Sequence, residues 1–422
     1  MLAKILVIFD ILFLFGSKCI AVKSKKMIDN LSSIIREKDT PIIIKDIYQT
    51  IQANSNNRSN LDSFQEIWRN HLEIVKKEIP EAFIEGNGEI IYTGKLSPGC
   101  RACKEGSWDC IFITMRCNLE CDFCSRSNMA GKDYAGLAYG ANPKEVAKNY
   151  ARTKIKGIGF SGGEAFLEPK RLFDWFVILK QAFPDNYFWI YTNGLLAKKE
   201  MLHQIGKLGI DEIRFNMAAT NYTCPDVIDN LKSAVEIIPR VTVEIPAVPD
   251  HSVRILSSLE KWATTGVKYL NCHELMREKL SNSVDLSGDF KTLTLEDGHQ
   301  TDFCYQSRLL TLNVMKTVLA KKIPISVNDC SSQSKIRQLR GRRRSLSPLV
   351  KKPYEKMIAD NFLERICVIK NKDDYQFIHP DLVSDMKDKK PHYRFVKIIR
   401  SAPLSIYDKE KWISIVDITE RY

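Results

Sequence analysis

Six short β-rich runs follow one another between residues 110 and 272, each separated from the next by a longer stretch whose apolar residues recur at helical spacing. They are Cys110–Thr114, Lys156–Phe160, Tyr187–Thr192, Glu212–Met217, Val241–Val248 and Lys268–Cys272, with Ile323–Val327 as a seventh. A strand that rejoins a sheet after a helix lies parallel to its predecessor, so alternation of this kind builds parallel sheets covered by helices. The rhythm predicts an α/β fold, a partial (βα)6-type TIM barrel open on one side. The loops at the C-terminal ends of such strands share one mouth, where chemistry collects. Three of those loops stand out. One carries cysteines, one reads Ser161-Gly162-Gly163-Glu164, and one follows Tyr191-Thr192 with Asn193-Gly194.

The rest of the chain divides around this barrel. Residues 1–26 form an apolar N-terminal segment, and 27–95 read as a helical N-terminal extension. Residues 96–330 hold the barrel, and 331–422 hold a basic linker and a small C-terminal extension. The apolar run Ile5–Phe15 is interrupted by Asp10 and is too short to span a bilayer. With Lys4 before it, the run partly resembles a signal peptide, which stays the alternative, but Lys18 spoils a small-residue cleavage site, so the expectation is an over-long start, a true beginning near Met27 and a cytoplasmic protein without a transmembrane span. Apolar residues make up 44% and charged residues 27% of the 422, which excludes the disordered and fibrous classes. The twelve cysteines lack a disulfide-like spacing and read as metal ligands and buried thiols.

Cys117, Cys121 and Cys124 form a C-x3-C-x2-C run. Three thiolates on one loop suit an iron–sulfur cube with one iron left open, because a closed electron-transfer site usually supplies four. An open iron can bind a small molecule. The alternative is a structural zinc loop, with Cys110 or Cys103 as fourth ligand, but it leaves the Gly-Gly-Glu loop unexplained. Cys100 and Cys103 make a second C-x2-C, a candidate second metal site that Cys330 can join. Its bland counterpart is a pair of unligated thiols. Cys272, His273 and Glu274 end a strand and are substrate-side candidates. The cations Lys335, Arg337, Arg340, Arg342, Arg343, Arg344, Lys351 and Lys352, within a net charge of +12, suit either a nucleic acid, an acidic peptide or plain solvent.

The cysteine run with Phe123 before its third Cys, the Gly162-Gly163-Glu164 loop and Tyr191-Thr192-Asn193-Gly194 together resemble the radical S-adenosylmethionine (SAM) superfamily over residues 105–275. Lys95-Leu96-Ser97-Pro98-Gly99-Cys100-Arg101-Ala102-Cys103, Glu244-Ile245-Pro246-Ala247-Val248-Pro249 and Asn328-Asp329-Cys330-Ser331-Ser332 are similar to an uncharacterised, largely archaeal group related to pyruvate formate-lyase activating enzymes. The resemblance implies a [4Fe–4S] cluster on Cys117, Cys121 and Cys124, with SAM on the fourth iron. It implies reductive cleavage of SAM and hydrogen abstraction by a 5′-deoxyadenosyl radical. Phe123 would then pack on the adenine, Gly162 and Gly163 would present backbone to the methionine, and Glu164 would accept from its ammonium. Asn216 ends the fourth strand, where the family touches ribose or carboxylate; Asn193 and Glu244 are further candidates. The implied partners are an electron donor such as ferredoxin or flavodoxin and a peptide or protein substrate. A nucleic-acid or small-molecule substrate is the alternative, and a non-catalytic zinc or iron–sulfur protein that binds nucleic acid is a further one.

Overall fold

The computed structural model describes residues 61–124, 142–277, 286, 288–295, 300–358, 362–370, 374–390, 392–401 and 411–418. The N-terminal segment 1–26 and most of the expected helical extension lie outside the described residues. The described part of that extension holds helix α1 (Leu61–Glu78) and the short strands β1 (Phe83–Glu85) and β2 (Ile90–Tyr92). No described helix is long and apolar enough to cross a membrane.

Seven parallel strands follow the rhythm read from the sequence. They are β3 (Trp108–Thr114), β4 (Gly157–Gly162), β5 (Tyr187–Thr192), β6 (Glu212–Phe215), β7 (Arg240–Pro246), β8 (Tyr269–His273) and, after a gap, β12 (Ser326–Cys330). With β1 and β2 added antiparallel beyond β12, the sheet order is β1-β2-β12-β8-β7-β6-β5-β4-β3. The fold is an α/β partial barrel, since among the described residues β3 and β1 are the sheet's two edges and do not pair with each other. The seventh strand lies three residues later than its apolar run suggests. Ile323 and Ile325 are buried ahead of the ladder, so burial alone does not mark where pairing begins.

Alternation sets the two faces. Ile111, Ile158, Phe160, Phe188, Ile190, Ile213, Val243, Leu270 and Val327 form a buried apolar layer. Helices α3 (Pro143–Tyr150), α4 (Pro169–Ala182), α5 (Lys199–Leu208), α6 (Pro225–Ile237), α7 (Ser252–Thr264) and α8 (Tyr305–Ala320) connect these strands. The opposite face carries Glu212, Arg214, Thr242, Glu244, Asn271, His273 and Asn328, a polar interior. Between β8 and β12 a small sheet, β10-β11-β9, is formed by β9 (Met276–Arg277), β10 (Phe290–Thr294) and β11 (Gln300–Cys304).

Helix α2 (Pro98–Glu105) enters this interior. Ser97 caps it by accepting from the Cys100 N–H at 3.2 Å, Pro98 starts it, and Gly106 ends it in the left-handed region at φ 70°. Its Gly99 faces Arg214 and Glu212 of β6, and its Cys100 donates to Asn271 of β8 at 3.2 Å. Helix α9 (Ser332–Val350) carries most of the basic run and lies beside it. Gly106 and Gly341 meet backbone to backbone, so closely that a Cβ on either would collide. Lys104 donates to the Asp329 carbonyl at 3.1 Å and to Ser334. Arg342 reaches Asp109 of β3 at 2.7 Å, and Tyr150 donates to the same carboxylate at 2.7 Å. Helix α9, leaving β12, thus bridges to β3 across the open side.

The second compact unit includes residues 346–422. Its antiparallel sheet runs β13 (Lys356–Ile358), β14 (Phe362–Ile369), β16 (Arg394–Ser401) and β17 (Lys411–Asp417), with β15 (Tyr375–Ile378) also on β14 and helix α10 (Val383–Lys389) following. Glu355, fully buried, holds Arg400 through two contacts of 2.7 Å.

The Arg342–Asp109 pair is almost wholly out of solvent, so cutting it strands a buried charge. We expect Arg342→Met to lower stability by about 3 kcal/mol, read as a shift in the urea midpoint. The exposed pair Lys156–Glu105 at 3.6 Å is the comparison, and Lys156→Met should cost under about 0.5 kcal/mol.

Candidate active site

The cysteine loop leaves β3 at Thr114, and its last turn closes with the Cys124 N–H donating to the Cys121 carbonyl at 3.1 Å. Its stem is held by the end of β4. The Gly163 N–H donates to the Thr114 carbonyl at 2.7 Å, and the Glu164 N–H to the Arg116 carbonyl at 2.9 Å. Gly162 sits at φ 125°, where side chains are rarely found, and a Cβ there would overlap the Thr114 oxygen. A Cβ on Gly163 would overlap the Arg116 oxygen. The two glycines therefore serve the close approach of one strand end to the cysteine loop. Their assignment to the methionine rests on the resemblance, whereas this contact is internal to the protein.

Glu164 carries the same lock to β5. Its side chain is completely buried. It accepts from Thr192 Oγ1 at 2.9 Å, from the Asn193 N–H at 2.7 Å and from the Phe166 N–H at 3.2 Å. Burial pushes its carboxyl upward, and these three donors pull against that. A carboxylate has about four acceptor positions, so little capacity is left for anything else. Asn193 then returns to the cysteine loop. Its Nδ2 donates to Asn118 Oδ1 at 2.7 Å and lies 3.9 Å from Cys117 Sγ. The three motifs seen in the sequence are brought together by hydrogen bonds running from β3 to β4, to β5 and back.

Cys117 is exposed, and Cys121 and Cys124 are partly buried. Burial raises the Cys117 thiol and pushes Cys121 up to about 12, with Cys117 and Cys124 adding to the rise at Cys121. Thiolates at Cys117 and Cys121 are disfavoured without a counter-charge, so the donor set calls for strong positive charge, which iron supplies. Among the described residues, no three His, Cys, Asp or Glu side chains are arranged around a single metal ion. Phe123 packs with Val248, Leu275, Cys304 and Phe290 in an apolar cluster beside the loop.

Across the barrel stands a wall of charge that sequence reasoning largely missed. Arg214 is buried, with its guanidinium 4.9 Å from the Trp189 ring centre and 5.3 Å from that of Tyr191. It donates to Glu212 at 2.8 Å and to Glu244 at 3.1 Å. Glu212 also accepts from Thr242 at 2.7 Å and Tyr187 at 3.0 Å. Glu244 accepts from Asn271 at 2.9 Å, and its Oε1 lies 2.6 Å from His273 Nε2. Glu244 thus belongs to this network on β7 and not to the cysteine side. The signal was present in Glu212-Ile213-Arg214-Phe215, where charged and apolar residues alternate in a strand that a purely apolar core would not tolerate. Asn216 ends the same strand, and its buried Oδ1 has no hydrogen-bond partner among the described residues.

Of the other candidates, His273 faces the interior, while its neighbours turn away. Cys272 is fully buried. Glu274 is buried and accepts from the Ser332 N–H, at the start of α9, at 2.6 Å. A period of two places only every second residue of β8 on one face, which removes both from a substrate-facing position. Cys100, Cys103 and Cys330 do share the interior, and each of the other two raises the Cys103 thiol. Their hydrogen bonds go elsewhere: Cys100 donates to Asn271, and Gln338 Nε2 donates to Cys330 Sγ at 3.8 Å. Of the basic run, Arg342 and Arg343 are buried and Arg337 pairs with Glu89 at 2.7 Å, so those three cations face the protein.

Two outcomes follow. Gly163→Ala should force the cysteine loop off β4, and bound iron after anaerobic reconstitution should fall at least about fivefold while the fold, read by circular dichroism, stays. The second concerns pH. Burial opposes the His273 imidazolium, but Cys330 and Glu244 hold it up to about 9. Burial likewise opposes the Glu244 carboxylate, but His273 and Arg214 hold it down to about 2. A raised His contributes fully below its ordinary 6.5 and loses that as pH rises through about 9. A depressed Glu contributes fully above its ordinary 4.5 and loses that as pH falls through about 2. The stability gap between the protein and Glu244→Gln should therefore be widest between pH 4.5 and 6.5 and shrink above 9, in thermal melts across pH.

Residues 111–298 match the family described as the Radical SAM superfamily. A Methanocaldococcus jannaschii protein, provisionally named a glycyl-radical enzyme activating enzyme, is 27% identical over 311 residues, covering 70% of this chain and 78% of that one. A GTP 3′,8-cyclase of Staphylococcus haemolyticus is 33% identical over 99 residues, or 21% of this chain and 27% of the cyclase. The crystal structure of Streptococcus suis SuiB bound to S-adenosylmethionine aligns with a TM-score of 0.40 at 13% identity, over 74% of this chain and 61% of SuiB. The chain thus spans about a quarter of the cyclase and less than two thirds of SuiB. Residues 111–298 thus carry a match to the Radical SAM superfamily, and over 70% of its length the chain is similar to a protein named for glycyl-radical enzyme activation.

Proposed function

We propose that this chain is an enzyme that cleaves SAM reductively and uses the resulting radical on a substrate held in the mouth of the partial barrel. A [4Fe–4S] cluster on Cys117, Cys121 and Cys124 would supply the electron that splits the S–C5′ bond, giving methionine and a 5′-deoxyadenosyl radical. The observation that carries this reading is the triplet itself: three thiols on one loop, with the next two strand ends hydrogen-bonded to its stem and to Asn118.

The protein's own residues then have separable tasks. Gly162 and Gly163 let β4 seat the loop, so the three sulfurs hold a fixed spacing. Glu164 and Asn193 keep β5 in register with it. Phe123, within its apolar cluster, offers a ring for the adenine and helps exclude water. Asn216 has a buried carbonyl oxygen without a partner among the described residues, suited to accept from a ribose hydroxyl or an ammonium. Glu244, already committed to His273, Arg214 and Asn271, shapes the far wall facing the substrate.

A peptide or protein substrate is the reading supported by kinship with an activating enzyme. Free thiols and an oxygen-sensitive cluster suit a reducing, cytoplasmic compartment and a low-potential donor of the ferredoxin or flavodoxin class. A nucleic-acid substrate is less well supported, because Arg342, Arg343 and Arg337 are spent on the protein itself.

The test is anaerobic reconstitution with iron and sulfide, then dithionite and SAM. About four irons per chain and formation of 5′-deoxyadenosine are expected. Replacing Cys117, Cys121 and Cys124 together by Ala should lower 5′-deoxyadenosine to the level without protein. Nucleoside formation that survives this replacement, or a protein that retains only zinc and makes none, would sink the assignment.

A further inference from the structure

We propose that the C-terminal unit captures the free C-terminus of a peptide, in a cavity of about 320 Å³ between its sheet and helix α10. An apolar floor takes the last side chain, and two lysines at its border take the terminal carboxylate. Reductive SAM cleavage makes no use of this cavity.

The cavity follows from how the sheet is covered. Alternation puts Glu364, Ile366 and Val368 of β14 on one face. On β16, Lys397 pairs with Ile366, and Phe395 with Val368. Helix α10 lies on this face, with Val383 and Met386 packed on the cluster of Ile366, Val368, Ile378 and Phe395. The cavity lies at the Glu364 end of the same face. Ile366 is its buried floor, and Pro380, Val383 and Ile418 are its other apolar walls.

Three charged groups border that floor: Glu364, Lys387 and Lys397. Lys397 Nζ lies 3.2 Å from Glu364 Oε2, and the two side chains are only 27% and 13% exposed. Lys387 of α10 donates to the Ile418 carbonyl. Two ammoniums against one carboxylate leave one positive charge over, which a single ligand carboxylate balances. Nearby, Lys356 and Asp381 lie outside the lining and pair with each other at 2.7 Å. An ion pair drawn this far out of water adds little to stability, since apolar side chains of the same volume serve a fold as well. Its place on the wall of an apolar cavity is better explained by a ligand than by the sheet.

The occupant is the end of a chain. One carboxylate next to one apolar side chain is what a peptide C-terminus presents, and capture of that carboxylate is a recurring mode of peptide recognition. The volume sits at the low end of the roughly 300–1,000 Å³ that whole small molecules occupy, which leaves room for one residue. Leu382, between the wall residues Pro380 and Val383 in the chain, is 49% exposed and offers apolar surface to the residues that precede the terminus.

The probe is the tripeptide acetyl-Ala-Ala-Leu with a free carboxylate, titrated into the full-length protein and followed by saturation-transfer NMR of the peptide. It should bind saturably, and its C-terminal amide should bind at least about tenfold more weakly, because the charge-assisted contacts are lost. Lys397→Met and Val383→Trp should each weaken the acid at least about fivefold with circular dichroism unchanged. Lys387→Gln should act in the same direction and serves if Lys397→Met does not fold. No saturation below about 10 mM overturns the proposal, as does an amide that binds as well as the acid. Isocaproate carries the leucine side chain and a carboxylate without the peptide, and if it binds as tightly as the tripeptide the site is one for small carboxylates and the proposal fails. None of these readings depends on SAM cleavage, so the two assignments stand or fall separately.

Discussion

Two backbone hydrogen bonds hold the centre of this molecule together: Gly163 N–H to the Thr114 carbonyl and Glu164 N–H to the Arg116 carbonyl. They require a strand end without side chains, because any Cβ at Gly162 or Gly163 would fall on those carbonyl oxygens. Once made, they fix the stem of the cysteine loop to β4. The Glu164 carboxylate extends the constraint to Thr192 and Asn193, and Asn193 returns it to Asn118. Hydrogen bonds to a charged acceptor contribute about 1.5–3 kcal/mol each, and in this buried site they offset the cost of taking Glu164 out of water. The loop that bears three thiols is thus positioned by its neighbours and owes little to its own short turn.

The far wall is held by a different physics. Arg214, Glu212, Glu244 and His273 are charged groups inside the barrel, and such groups are tolerated only when each finds partners. Arg214 meets this by stacking between Trp189 and Tyr191 while donating to two carboxylates. Gly157 and Gly159 make room for the Trp189 indole, which a Cβ at either position would strike. A closed barrel fills its centre with layers of branched apolar side chains. This open one fills it with helix α2 and a salt-bridged network, leaving polar groups at the mouth.

The sequence was most legible where one face of an element is uniformly apolar. The parallel strands were found because their outer residues, such as Ile158, Phe160, Phe188 and Ile190, pack under helices and leave a clear pattern. Register was less legible. Cys272 and His273 are adjacent letters, and only the pleat decides which of them meets the interior. Long-range pairing was not legible at all. Arg342 belongs to a run that reads as solvated or ligand-seeking, yet its partner Asp109 lies 233 residues away. Composition cannot reveal that a charge run covers an open barrel edge. The Gly-Gly-Glu motif was legible as a motif, but its internal work, welding one loop to the next, appears only when the carbonyls of Thr114 and Arg116 are placed.

The two constraints are carried by different residues and meet on β5, whose Tyr187, Trp189 and Tyr191 serve the charged network while Thr192 and the following Asn193 serve the cysteine side. The cysteine side is built on β3, β4 and β5 by backbone contacts that depend on glycine. The opposite side is built on β6, β7, β8 and β12 by side-chain charge. Interactions that share no partners contribute nearly independently. The groups facing a substrate on the far wall can therefore differ between relatives without loosening the loop that holds the thiols. Glycine at 162 and 163 has no such freedom, since no other residue allows the approach. Under the proposed function, a fold divided in this way would separate the making of a radical from the choice of its target, and the residues most legible in the sequence would then speak to the first and say little of the second.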